Sequence, residues 1–408
     1  MRASWHCWVL VAGSILLSVV ASSWGTGSAR AQTRPADVDS SSSSPVQLIY
    51  LTREDPGSPR TSLAEPVVAD YGWQGARLGL DEINRSGQFL GRQYALQKVS
   101  VAAGDDFLSA ARDALRGHDL LVADLKAEDL LTLADLPAAR DALILDARTS
   151  DDSTRQGNCR ANVFHVLPNW AMRADALAQF LAQRHWTRWL MVVGSAADDT
   201  AYAAALQNSA RRVGAHIVAE RRYESSSVGG SASLRDLTHV SVRYDLMIVV
   251  DTRNAFGESL LFNSWDPRLT AGTHGLVAVS WHPWFREYAA RGIQYRFFLS
   301  ASREMSERDY GNWLAVSIIG EAVARGGHAD ASALRDLLRS DGFSVPANKG
   351  EGLSFRRWDQ QLRQPLLLFG PRQLVAMWPQ DIGHGDELET DRIGFDAAHS
   401  LCHLGGAP

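Results

Sequence analysis

Short apolar runs alternate along this chain with apolar residues set at helical spacing. Val46-Gln47-Leu48-Ile49-Tyr50-Leu51 is rich in strand formers and reads as the first strand. Over 71–86 the apolar positions Ala76, Leu80 and Ile83 recur at i, i+4 and i+7, the stripe of an amphipathic helix, and Gly87 ends it. A strand follows over 94–101, then a helix carrying Phe107, Ala111, Ala114 and Leu115 that Asp105-Asp106 can cap. Strands over 119–123 and 142–145 flank a helical 127–136.

A second series of the same kind begins past Pro168. Helices are expected over 172–185 and 199–213, and strands over 189–193, 215–223, 244–250 and 276–281. The Ser/Gly-rich stretch 225–233 reads as a loop. Strand and helix taking turns predicts α/β architecture, two open, mostly parallel sheets flanked by helices. Helices over 309–324 and 331–340 come next. Then 353–356, 364–369 and 374–377 read as short strands joined by tight turns, hence antiparallel hairpins.

The first 31 residues differ from the rest. Arg2 precedes the apolar stretch 8–21, small residues follow, and Ala29-Arg30-Ala31 forms a small-x-small cleavage site before Gln32, the layout of a signal peptide for export. A tether over 32–45 contains five consecutive serines, Ser40 to Ser44. Without the leader, 39 Lys and Arg face 46 Asp and Glu, a formal charge of 39 − 46 = −7, which offers nucleic acid no basic field. Cys159 and Cys402 are the cysteines left after the leader is removed. An even pair in an exported chain permits one disulfide, which we expect to form, and two unpaired buried thiols are the alternative. No metal-ligand spacing surrounds either, and the acidic stretch 386–391 reads as a solvated loop rather than a cation site.

Walker, HExxH, GxSxG and EF-hand patterns are absent, as is GxGxxG after a strand, so a binding protein is favoured over an enzyme and no cofactor is expected. In open α/β sheets ligands lie beyond the carboxyl ends of the strands. Those ends supply the candidates for ligand binding: Asp124 and Lys126, Arg148 and Thr149, Ser195, Asp251, Trp281 and His282. Arg148 can fork onto a carboxylate or phosphate, Thr149 offers a hydroxyl, and Trp281 a flat apolar wall. Each Asp, Ser or Thr has a plainer reading as a helix cap or turn former, and His282 as a satisfied loop histidine.

Gly75-Ala76-Arg77-Leu78-Gly79-Leu80-Asp81-Glu82-Ile83-Asn84, running on to Gly87 and followed by Leu90-Gly91-Arg92, resembles the first helix of type I periplasmic binding proteins of the branched-chain amino-acid class. Four later segments resemble one subfamily, the substrate-binding proteins of the ABC transporter found with pyrroloquinoline-quinone (PQQ)-dependent alcohol dehydrogenases. They are Cys159-Arg160-Ala161-Asn162-Val163-Phe164-His165, Trp265-Asp266-Pro267-Arg268, Glu307-Arg308-Asp309-Tyr310 and Trp358-Asp359-Gln360-Gln361-Leu362-Arg363-Gln364-Pro365.

The resemblance implies two lobes crossed by the chain three times and closing on a small solute. Lobe 1 is expected over 46–167 plus 295–341, lobe 2 over 168–294 plus 342–380, and a tail over 381–408. It further implies a periplasmic location, an inner-membrane ABC permease as partner and service to a PQQ-dependent alcohol dehydrogenase system. The alternative is a periplasmic sensor, or a protein presenting a cofactor or metal ion to the dehydrogenase without transport. One departure stands out. Amino-acid binders of this class commonly place small residues and hydroxyls at the third and fourth strand ends to hold the ligand's carboxylate, whereas this chain has Asp124, which would repel it unless Lys126 or Arg148 neutralises the charge.

Overall fold

The computed structural model describes residues 44–55, 68, 70–224, 231–380 and 389–404. The expected signal peptide, nearly all of the tether and the tail over 381–388 lie outside the described residues. No helix among the described residues is long and apolar enough to cross a membrane.

The first half of the chain runs β1 (Val46–Arg53), α1 (Trp73–Gly87), β2 (Tyr94–Val101), α2 (Phe107–Ala114), β3 (Leu120–Asp124), α3 (Ala127–Ala134), β4 (Leu143–Asp146) and β5 (Val163–His165). These strands form one parallel sheet in the order β2-β1-β3-β4-β5. All five residues of β3 are buried, as expected of a parallel strand covered on both faces. Of the expected capping residues Asp105 and Asp106, it is Asp106 that caps α2: its carboxylate accepts the Leu108 N–H at 3.0 Å.

The second series runs α4 (Trp170–Gln183), β6 (Arg188–Val193), α5 (Ala197–Arg212), β7 (His216–Arg222), α6 (Ser231–Leu237), β8 (Leu246–Val250), α7 (Gly257–Asn263), β9 (Leu269–Gly272) and β10 (Leu276–Val279). Asn169 starts α4 by accepting the Met172 N–H at 3.0 Å. The chain then returns to the first core through α8 (Ala290–Ala301), α9 (Glu307–Gly326) and α10 (Ala331–Arg339). Ala290, Ile293 and Phe297 of α8 pack in the hydrophobic core that also holds Leu48, Tyr50 and Val122 of the first sheet. A small hairpin, β11 (Val345–Pro346) with β12 (Gly352–Leu353), leads to β13 (Leu366–Phe369) and β14 (Leu374–Trp378). These last two pair antiparallel on the edge of the second sheet, whose order is β14-β13-β10-β9-β8-β6-β7. The result is a two-lobed α/β fold with one parallel and one mixed sheet. Residues 353–356 make no further strand than the β12 pair and a single bridge from Phe355 to Leu362.

The glycines of the α1 segment have a packing reason. A Cβ on Gly75 would fall 1.9 Å from the Asp309 carbonyl oxygen, and one on Gly79 would fall 2.9 Å from that of Trp313. Only glycine lets α1 lie this close to α9. The α9 start is itself fixed by a reciprocal cap, Ser306 bonding the Asp309 N–H while the Asp309 carboxylate accepts the Ser306 N–H.

A polar hub joins the three crossings. Gln364 donates to the Val166 carbonyl at 2.7 Å and accepts from the Ser280 hydroxyl at 2.6 Å and from Lys349 Nζ at 2.9 Å. Cys159 and Cys402 form the expected disulfide, with Cα atoms 5.6 Å apart. The tail before Cys402 is held by fully buried Arg356, which donates to the Thr390 and Ile393 carbonyls at 2.6 and 2.7 Å. Asp391, expected in a solvated loop, instead accepts from both Arg356 and Arg363 at 2.9 Å.

Candidate functional site

The sheet order turns around between β1 and β3 in the first lobe and between β6 and β8 in the second, which are the switch points where a crevice opens. At the first, the expected ligand contact Asp124 is wholly buried and already satisfied. Tyr50 donates its hydroxyl at 2.5 Å, and Arg308 forks both oxygens, Nε at 2.8 Å to Oδ1 and Nη2 at 2.8 Å to Oδ2. Burial and the neighbouring Asp124 charge push the Tyr50 phenol far above its ordinary range, so it serves as a donor. Neither Lys126 nor Arg148 neutralises Asp124. Both instead pair with Asp55, at 2.6 and 2.5 Å. Burial works against the Asp55 charge, but the Lys126 bond and the Arg148 charge hold its pKa below the usual carboxylate value. The backbone N–H groups of Arg148 and Thr149 both bind Asp146, at 3.1 and 3.0 Å. The Thr149 hydroxyl accepts the Asp151 N–H, a turn role.

At the second switch point Ser195 is exposed. Asp251 is buried and caps the start of α7, accepting the N–H groups of Ala255, Phe256 and Gly257 at 2.9, 2.7 and 2.7 Å. Asp199 does the same for the neighbouring loop, taking the Thr252 N–H and hydroxyl at 2.7 Å each. The plainer reading, a helix cap, describes Asp251. Asp198 beside it has its pKa raised by burial, offset by the charge of Lys126 from the first lobe.

Trp281 is not a cleft wall. It is 1% exposed, lies in the first hydrophobic core and stacks on Tyr310 with ring centroids 4.3 Å apart and planes at 6°. The strand end turns its indole inward because the crossing after β10 packs against α9. His282, next in sequence, faces a cavity and stacks on Phe369 at 3.9 Å. Burial is the main cause that lowers its pKa to about 4, so the ring is neutral at physiological pH.

That cavity, of about 600 Å³, is lined by the ends of β8 and β9, by β10, by the first turns of α4 and by the β13–β14 turn. Its aromatic lining is Trp170 stacked on Tyr202 at 4.8 Å. Arg173 lines it too, donating to the Ala278 carbonyl at 3.1 Å and to Glu307 of α9 at 3.0 Å, a tie between the lobes. Its Nε–H is buried without a partner. Asp251 and His282 are the expected site residues that share this cavity, whereas Ser195 and Asp251 share a smaller one of about 170 Å³ with Arg253. Trp170, Arg173, Tyr202 and Arg308 escaped sequence reasoning because each stands within or at the start of a helix, not at a strand end. The crossing residue Asn169, a recognisable cap, was the available signal for Trp170 and Arg173. Among the described residues no group of His, Cys, Asp and Glu could hold a metal ion.

Residues 58–240 match the periplasmic binding protein family. No curated protein matches the chain. Among solved structures, the chain is similar to a branched-chain amino-acid ABC transporter periplasmic ligand-binding protein from Burkholderia xenovorans (TM-score 0.70, 16% identity, 88% of this chain and 99% of that one). It is also similar to the closed leucine-, isoleucine-, valine-, threonine- and alanine-binding protein from Brucella ovis (0.68, 14%, 89% and 99%). A third is an ABC-transporter solute-binding protein from R. palustris in complex with benzoate (0.59, 12%, 82% and 96%). The chain thus has the two-lobed fold of periplasmic ligand-binding proteins of ABC transporters.

Proposed function

We propose that this protein is the periplasmic solute-binding component of an ABC transporter, holding a small solute between its lobes and delivering it to an inner-membrane permease. The observation that carries this reading is the cavity of about 600 Å³ on the second lobe, whose lining residue Arg173 reaches across to Glu307 of α9. A solute seated there changes the balance of contacts between open and closed arrangements, which is what a transporter needs to sense loading. The expected lobe bounds, crossing near 167, 294 and 341, belong to this reading. So does service to PQQ-dependent alcohol oxidation, supported by the resemblance of the segments around Cys159, Trp265, Arg308 and Trp358.

Native mass spectrometry of protein from its own periplasm, followed by titration of the released solute with small-angle scattering, tests the proposal. Lobe closure on the solute and loaded-state binding to a permease are expected. A protein that binds the dehydrogenase alone, or that stays open with every co-purified solute, overturns it.

A further inference from the structure

Resting on the reading of the cavity as the solute site, we infer that its ligand is a small uncharged molecule with an aromatic or other flat unsaturated ring and an accepting oxygen, not a zwitterionic amino acid.

Most charges at the two switch points are already paired within the protein, and Asp198 and Arg253, exposed at the second, lie off the lining of this cavity. Asp124 carries the fork of Arg308, and Asp55 takes both Lys126 and Arg148. Asp251 caps α7, Asp199 binds the Thr252 loop, and Arg173 is paired with Glu307, which also accepts the Ser280 N–H. An amino acid would bring an ammonium and a carboxylate into this setting, and each would lose its water without gaining a free counter-charge. Glu258, at the start of α7, is the carboxylate left on the lining, and it is exposed to water that screens it.

What the cavity does offer is flat and neutral. Trp170 and Tyr202 stack on each other, the neutral His282 ring adds a further face, and Val277 and Val279 add apolar surface. Arg173, 7% exposed, keeps its Nε–H buried and without a partner, a donor waiting for an oxygen. A hydroxyl or carbonyl on a ring satisfies that donor while the ring covers the aromatic wall.

Five probes that share one ring and differ in charge test this: benzyl alcohol, benzamide, benzoate, benzylamine and phenylalanine, each titrated calorimetrically into the dialysed mature protein. At least one neutral probe should bind about tenfold or more tighter than all three charged ones. Trp170→Leu should weaken that binding, while the ranking in the unmodified protein needs no variant. Equal or tighter binding of phenylalanine, benzoate or benzylamine overturns the inference, and so does failure of all five. If leucine or another amino acid then closes the lobes in scattering, the transport reading survives and only the ligand class falls. If no solute closes them, both fall.

Discussion

Arg308 grips Asp124 from 184 residues away, placing Nε and Nη2 each 2.8 Å from a different carboxylate oxygen. Asp124 is 0% exposed and the Arg308 side chain 30%, so the pair is buried on the acid's side and partly wet on the other. Removing the arginine alone leaves an uncompensated buried carboxylate with Tyr50 as its main donor. Arg308→Ala should therefore lower unfolding free energy by about 3 kcal/mol, toward the low end for a broken buried pair because of that partial solvation. The double variant Asp124→Asn, Arg308→Leu should recover much of the loss. Urea denaturation of the three variants decides it, and a single-variant loss below about 1 kcal/mol would show that water already compensates Asp124.

Trp281 and His282 are neighbours in sequence with opposite environments. The indole of Trp281 fills the core between Tyr310 and Phe285, whose ring it meets edge-on at 5.4 Å. Trp281→Ala should cost about 3–5 kcal/mol of stability, the range for an aromatic truncated in a core. Thermal and urea melts of the empty protein read this. A near-unchanged melt with lost binding would return Trp281 to the ligand.

The fold was legible where periodicity was clean and long. β3 and β8 announced themselves as unbroken apolar runs, and α1 as a stripe closed by Gly87. β5 is not foreseen because three residues carry too little pattern, and β9 because Leu269-Thr270-Ala271-Gly272 holds no run of strand-forming apolar residues. α8 was missed for the opposite reason: Ile293 and Phe297 are buried, but Tyr295, Phe298 and Leu299 are exposed, so apolar residues ring the helix and no stripe stands out. For the site, the strand ends were found, but not which way their side chains turn. Asp124 looked like an open charge because its partner lies on a helix much later in the chain, and Trp281 looked like a wall because sequence does not say which core an aromatic joins.

Two buried groups give stability a pH dependence with one sign. Burial, aided by the Arg155 charge and opposed by Asp146, lowers the His165 pKa from 6.5 to about 4. The unfolded chain then binds a proton that the folded chain refuses, so stability falls as pH drops from 6.5 toward 4. Burial likewise lowers Lys349 from 10.5 to about 7, so its contribution rises as pH climbs from about 7 to 10.5. Asp152, raised by burial from 3.8 to about 6, runs the other way over that interval and blunts the acid limb. Lys349→Met should flatten the alkaline rise, at the cost of the hub bonds to Gln364 and Pro365. Denaturation midpoints across both windows measure it, and an unchanged alkaline slope in the variant would assign that rise elsewhere.

The Cys159–Cys402 bridge acts on a tail that already has other holds. The ring it closes spans 243 residues, for which chain entropy sets a ceiling near ~5 kcal/mol. Arg356 binds the Thr390 and Ile393 carbonyls, and Gly394 donates to Asp175 of α4 at 2.7 Å, so the tail up to that point stays docked without the bridge. Beyond Asp396 the remaining hold is thinner: Leu401 donates its N–H to Gln156 at 3.0 Å, next to the bridge itself. Replacing both cysteines by serine should therefore cost about 2 kcal/mol, well under the ceiling, and should free the amide hydrogens of 397–404 to exchange while those of 390–395 stay protected. Hydrogen exchange on the oxidised protein and the double-serine variant separates the two stretches. Equal loss of protection along the whole tail would mean that the disulfide, and not Arg356, is what docks it, and two free thiols in the denatured, non-reduced protein would remove the bridge from the argument altogether.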